Sequence, residues 1–101
     1  MTGTPRAYAP LDIVTIAMDC RTLDALRAPL DFAAASDDPW VLNAGILAIG
    51  HAARRFRAYP RAMKERLWGR IHQFPDLISP RLAGTRLDAE GDIAHFGAKG
   101  V

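Results

Sequence analysis

The sequence predicts an all-α protein, a bundle of about five helices in antiparallel pairs, and three observations carry that expectation. Apolar residues recur at helical spacing along most of the chain. Proline sits next to a capping residue at the start of two long segments, Asp38-Pro39 and Ser79-Pro80. Strand signals are nearly absent: β-branched residues are sparse, alternation is short, and no Asn-Gly or Asp-Gly pair separates two apolar runs.

Taken in order, Leu11, Val14, Ile16 and Met18 predict a short helix after Pro10, although LDIVTIAM is also the one segment that could be a strand. Thr22 is placed to cap a second helix carrying Leu23, Leu26, Leu30 and Phe32, with Pro29 expected to kink or break it. Asp38 as N-cap and Pro39 in the first turn open a third helix, whose positive dipole end suits Asp37 and Asp38. This helix should run to about Phe56 and end before Tyr59-Pro60. A fourth, from Pro60 or Arg61 to about Gln73, carries Met63, Leu67, Trp68 and Ile71 on one stripe. After the connection FPDLISP, Ser79 and Pro80 start a fifth through Leu82, Leu87 and Ile93 to Phe96, before Gly97 and the tail AKGV.

A chain of 101 residues, half of them hydrophobic, suits one domain over 1–101, with 1–9 and 97–101 expected as loose termini. No apolar run approaches the roughly 20 residues of a membrane span, and MTGTPRAYAP lacks the apolar core of a signal peptide, so a cytoplasmic protein with no membrane partner is expected. Cys20 is the single cysteine and has no CxxC or multi-ligand spacing around it; it reads as a small apolar filler late in a helix. Shifting the chain by 41 residues lays Pro39 on Pro80, Val41 on Leu82, Ile46 on Leu87, Ala48 on Ala89 and Gly50 on Gly91, a spacing within the range of two-helix solenoid repeats.

The third segment, NAGILAIGHAARRF, raises the sharpest question, because each glycine in a helix interior costs about 1 kcal/mol relative to alanine. Close approach is the compensating gain: Gly45 and Gly50 with Ala44, Ala48, Ala52 and Ala53 make a helix narrow on several sides, while Leu42, Ile46 and Ile49 supply bulk. That is the pattern of a central helix. His51 lacks a ligand or carboxylate at i+3 or i+4, and neither His72 nor His95 shares a metal-binding spacing with it. It is expected to donate to a backbone carbonyl or to cap a neighbouring helix. The chain contains no GxSxG, P-loop or GxGxxG, and Asp88 and Asp92 at i, i+4 read as a solvated face rather than a catalytic pair. No enzyme, cofactor or metal site is expected.

Charge is unevenly spread. Between Arg54 and Arg70, Arg54, Arg55, Arg57, Arg61, Lys64, Arg66 and Arg70 face a single acid, Glu65, whereas 1–38 holds six acids and three bases. Such asymmetry favours a charged partner. Because Phe56, Tyr59 and Trp68 interleave the cations, a nucleic-acid-binding module using Arg54, Arg55, Arg57, Arg61 and Lys64 of the segment 54–70 is the second functional expectation.

The stretches DDPWVLNAGILAIGHAARRF and ISPRLAGTRLDAEGDIAHF resemble the paired helices of small bacterial HEAT-repeat-like proteins. Asp38-Pro39, Val41, Ala44, Ala48, Ile49-Gly50, His51, Ala53 and Arg54 carry the likeness, with Asp92, Ile93 and Phe96 matching the closing helix, over roughly residues 36 to 96. Two departures are Leu42, where an arginine usually pairs with an aspartate in the adjoining turn, and Gly91, where relatives tend to have a better helix former. Proteins of this kind are similar to immunity proteins of bacterial toxin systems, including contact-dependent growth inhibition. The resemblance implies a cytoplasmic protein that binds one cognate toxin domain, often a nuclease, and blocks its active site or substrate surface. Candidate partner-binding residues are Asp37, Asp38, Arg54, Arg55, Arg57, Asp88 and Asp92.

Overall fold

A computed structural model describes residues 7–101, and among them five α-helices form an all-α bundle: α1 (Pro10–Asp19), α2 (Arg27–Ala35), α3 (Pro39–Phe56), α4 (Arg61–Arg70) and α5 (Ser79–Phe96). Residues 1–6 lie outside the described part, so only the end of the predicted loose N-terminus is visible. There Tyr8 is buried with its ring edge-on to Phe32, 5.6 Å between centroids.

LDIVTIAM is helical. The Ala9 N–H donates to the Asp12 carboxylate at 3.0 Å, satisfying a donor at the entry to α1. The buried stripe is Ile13 and Ala17, with Val14, Ile16 and Cys20 beside it, and not the predicted set, because Leu11 is 75% exposed and Met18 54%. At about 100° per residue, Leu11 lies far round the helix from Ile13.

Thr22 caps without a side-chain hydrogen bond, and it leads into a 3₁₀ turn, Leu23–Leu26, before α2 begins. Pro29 neither kinks nor breaks α2. It falls in the first turn, where its missing N–H removes no helical bond, so the change of geometry comes ahead of it.

Asp38 accepts a hydrogen bond from the Trp40 N–H at 2.9 Å and starts α3 as predicted. The helix ends at Arg57, which takes the left-handed conformation (φ 53°) and donates its N–H to the Ala53 carbonyl. Val41, Leu42, Ala44, Ile46, Ala48, Ile49, Ala52 and Ala53 are all buried, which makes α3 the central helix. The glycines are where neighbours approach. A Cβ on Gly45 would lie 2.7 Å from Ala33 Cβ of α2 and 2.9 Å from Leu67 Cδ2 of α4, and one on Gly50 would lie 2.9 Å from Asp92 Oδ2 and 3.4 Å from Ala89 Cα of α5.

Helix α4 buries Leu67, then tightens into a 3₁₀ turn, Ile71–Gln73, that buries Ile71. In α5, Ile78 occupies the N-cap without a side-chain bond, and Ser79, the predicted cap, instead donates to the Ile71 carbonyl at 3.3 Å. Only Leu82 and Ala89 of α5 are buried, and Leu87, expected on the inner stripe, is 63% exposed. The 41-residue correspondence therefore fails in environment: Ile46 is buried where Leu87 is exposed, and Gly50 is packed where Gly91 has open space. α3 is covered on several sides and α5 on one.

The predicted loose tail is paired instead. Gly97 ends α5 in the left-handed conformation (φ 60°), and the Ala98 N–H donates back to the Ile93 carbonyl at 2.9 Å. The chain then forms a parallel ladder of β1 (Ala58–Tyr59) with β2 (Lys99–Gly100). The Lys99 N–H donates to Arg57 and the Val101 N–H to Tyr59, while the Val101 carbonyl accepts from the Arg61 N–H. The carbonyls left free by the break between α3 and α4 give the tail its partners.

Candidate partner-binding face

Trp40, Asn43, Leu47, His51 and Arg54 recur at helical spacing along one edge of α3. Opposite them, Arg81, Thr85, Asp88 and Asp92 do the same on α5. Thr85 Oγ1 donates to Asn43 Oδ1 at 2.6 Å, Arg54 Nη2 pairs with Asp92 Oδ2 at 3.2 Å, and the Arg81 guanidinium lies 5.3 Å from the Trp40 ring centre. Between these ties is a cleft of about 100 Å³ lined by Leu47, Gly50, His51, Arg54, Thr85, Asp88, Ala89 and Asp92. Gly50 is what makes it possible, since any side chain there would meet the Asp92 carboxylate.

His51 lines this cleft and, among the described residues, makes no hydrogen bond, contrary to the expected carbonyl or helix-end partner. The middle of α5 passes beside it, where carbonyls are already used within the helix. Burial pushes the imidazole pKa below its usual 6.5, Arg54 and Arg55 push the same way, and Asp92 opposes them. The histidine is thus held toward its neutral form.

Of the seven residues predicted to meet a partner, Arg54, Asp88 and Asp92 come together here. The others are dispersed by structural duties. Asp38 caps α3, and Asp37 pairs with Arg70 at 3.2 Å. Arg55 donates to the Ala17 carbonyl at 3.0 Å and so occupies the carboxyl end of α1, with Cys20 Sγ 3.6 Å away. Arg57 closes the opposite end of α3. Trp40, Leu47 and His51 were not among the predicted partner residues, although their spacing along α3 was readable: a large apolar residue on the open side of an otherwise buried helix is the available signal.

Asp88 and Asp92 share the cleft, while Glu90 turns elsewhere, accepting from Trp68 Nε1 at 3.4 Å. Among the described residues no group of three or more His, Cys, Asp or Glu side chains is placed to hold a metal ion, and no helix is long and apolar enough to cross a membrane. No protein-family model, curated protein or solved structure matches the chain.

Proposed function

We propose that the protein is an immunity-type inhibitor with a HEAT-like helical scaffold, acting in the cytoplasm by binding one cognate bacterial toxin domain and blocking its active site or substrate surface. The observation that carries this reading is the α3/α5 face. Exposed Trp40 and Leu47 share one edge of α3 with His51 and Arg54, next to Asp88 and Asp92, on helices packed closely around glycine. An aromatic anchor beside an arginine and a partly desolvated charge pair is the composition that protein interfaces concentrate at their centres. A preformed surface also loses little ordering entropy when it binds. A nuclease toxin, basic where it holds its substrate, would meet Asp88 and Asp92.

The test is capture with a tagged full-length chain from the native cells at about 0.15 M and about 0.5 M salt, with and without nuclease treatment of the lysate. The expected result is one protein retained under all four conditions, toxic when expressed alone and harmless when co-expressed with this chain. Trp40→Ala with Leu47→Asp should abolish that protection. Protection unaffected by these substitutions would remove the α3/α5 face from the account, and a captured protein without toxicity would remove the immunity reading.

A further inference from the structure

Of the seven basic residues between Arg54 and Arg70, the fold itself employs four. Arg54 pairs with Asp92 and Arg66 with Asp31, Arg55 reaches the Ala17 carbonyl, and Arg70 binds the Ala34 carbonyl and Asp37. The remaining Arg57, Arg61 and Lys64 gather about the β1–β2 ladder, which brings Lys99 to them from the far end of the chain. The Lys99 N–H donates to the Arg57 carbonyl at 3.1 Å, and a Cβ on Gly100 would lie 3.0 Å from Arg61 Cβ. The side chains of Arg57, Arg61 and Lys99 are exposed and have no hydrogen bond, ion pair or ring contact among the described residues. The Lys64 ammonium lies over the rings of Tyr59 (5.7 Å) and Trp68 (5.5 Å). Glu65, the acid of α4, pairs with none of them.

We propose that Arg57, Arg61, Lys64 and Lys99, with Tyr59 and Trp68 beside them, form a binding surface for the phosphate backbone of single-stranded nucleic acid. Cations without carboxylate partners do nothing for the fold and cost self-repulsion, and a chain of phosphates relieves that repulsion at each of them. The half-buried rings of Tyr59 and Trp68 hold the Lys64 ammonium over them by cation–π attraction and so fix one charge of the track in place. An acidic protein is the poorer fit. A stable protein interface needs an apolar centre, and among the described residues the large exposed apolar side chains Leu11, Met18, Trp40, Leu47, Leu77 and Leu87 belong to other parts of the fold, leaving only Val101 at this patch. The surface shares no residue with the α3/α5 cleft and stands or falls independently of it.

Anisotropy of a fluorescein-labelled, mixed-sequence single-stranded oligonucleotide titrated with the full chain between about 20 mM and 200 mM salt tests the proposal. The expected log–log slope of affinity against salt is about −2 to −3, the value for three to four neutralised phosphates on a single strand. Arg57→Gln combined with Arg61→Gln should weaken low-salt binding by roughly tenfold or more and flatten the slope by about 1.4, the share of two phosphates. Lys99→Gln should have a smaller effect in the same direction, and Arg81→Gln, on α5 over the Trp40 ring and away from the patch, should change neither. The exposed positions keep these variants folded, which helical circular dichroism verifies. Absence of binding at the lowest salt, affinity unchanged in the double variant, or tighter binding of labelled polyglutamate than of the oligonucleotide would each overturn it.

Discussion

Replacing Gly45 with alanine adds one methyl group at the tightest point of the bundle. The new Cβ would sit 2.7 Å from Ala33 Cβ and 2.9 Å from Leu67 Cδ2. Carbon atoms pack comfortably at about 3.5–4.0 Å, so α2 and α3 would have to part by close to 1 Å at that contact. Leu67 can yield by rotating its terminal carbons, but the Ala33 methyl is fixed to its backbone and can move only with α2. Overpacking of this kind costs about 1–3 kcal/mol, while exchanging glycine for alanine inside a helix restores about 1 kcal/mol, for a net loss of up to roughly 2 kcal/mol. For a domain of this size the upper figure corresponds to a fall in Tm of about 8–16 °C. Gly84 and Gly91 in α5 are the matched controls, because nothing lies within 4 Å of a Cβ at either. Alanine there should raise stability by about 0.5–1 kcal/mol. Urea denaturation followed by helical circular dichroism would separate the three variants. Gly45→Ala as stabilising as Gly91→Ala, or Gly91→Ala as damaging as Gly45→Ala, would refute the argument that close helix approach explains the glycines of α3. Gly50→Leu belongs to the same series and should lose about 1–3 kcal/mol by forcing Asp92 and α5 away.

Arg70 is largely covered and hydrogen-bonds the Ala34 carbonyl at 2.8 Å and Gln73 Oε1 at 2.7 Å, so Arg70→Met should cost about 1–3 kcal/mol in chemical denaturation, whereas Asp37→Asn, at a fully exposed carboxylate, should leave the midpoint in place. Because burial and the neighbouring arginines lower the His51 pKa, the unfolded chain binds the extra proton first: stability should rise with pH through the interval just below 6.5 and fall on acidification through it. His51→Gln should remove that component of the slope. In an NMR titration Asp92→Asn should move the His51 midpoint lower still and Arg54→Ala should move it up; reversal of either sign would contradict the assignment of causes. The amides of Lys99 and Val101 should exchange with deuterium more slowly than those of a free tail, and Val101→Pro, which deletes the donor to Tyr59, should speed exchange at Lys99.

Where local chemistry decides the outcome, the fold could be read from the sequence. Asp38-Pro39 places the start of α3 within one residue, Tyr59-Pro60 bounds its end, and the clustering of alanine and glycine identifies it as the central helix. Long-range partners decided the rest. Leu87 carries the same local signal as Leu82, and only the one-sided contact of α5 with α3 exposes it. Nothing near Lys99 signals a strand; its partner is the Arg57 carbonyl, more than forty residues earlier in the chain. The candidate site divides likewise. Arg54, Asp88 and Asp92 were identifiable by residue type, but that Arg55 and Arg70 serve the carboxyl ends of α1 and α2 depends on helix placement that no spacing encodes.

Helix α5 is restrained at both ends by bonds to other elements. At its start Ser79 holds the Ile71 carbonyl, and just beyond its finish the tail is stitched to the segment that joins α3 to α4. A rod pinned at two points can neither slide along its neighbour nor roll against it, even though only Leu82 and Ala89 are buried along its length. The spacing between His51 and Asp88 is therefore set by contacts well outside the cleft. Cutting the tail after Ala98 would loosen the jaw without touching any residue that lines it.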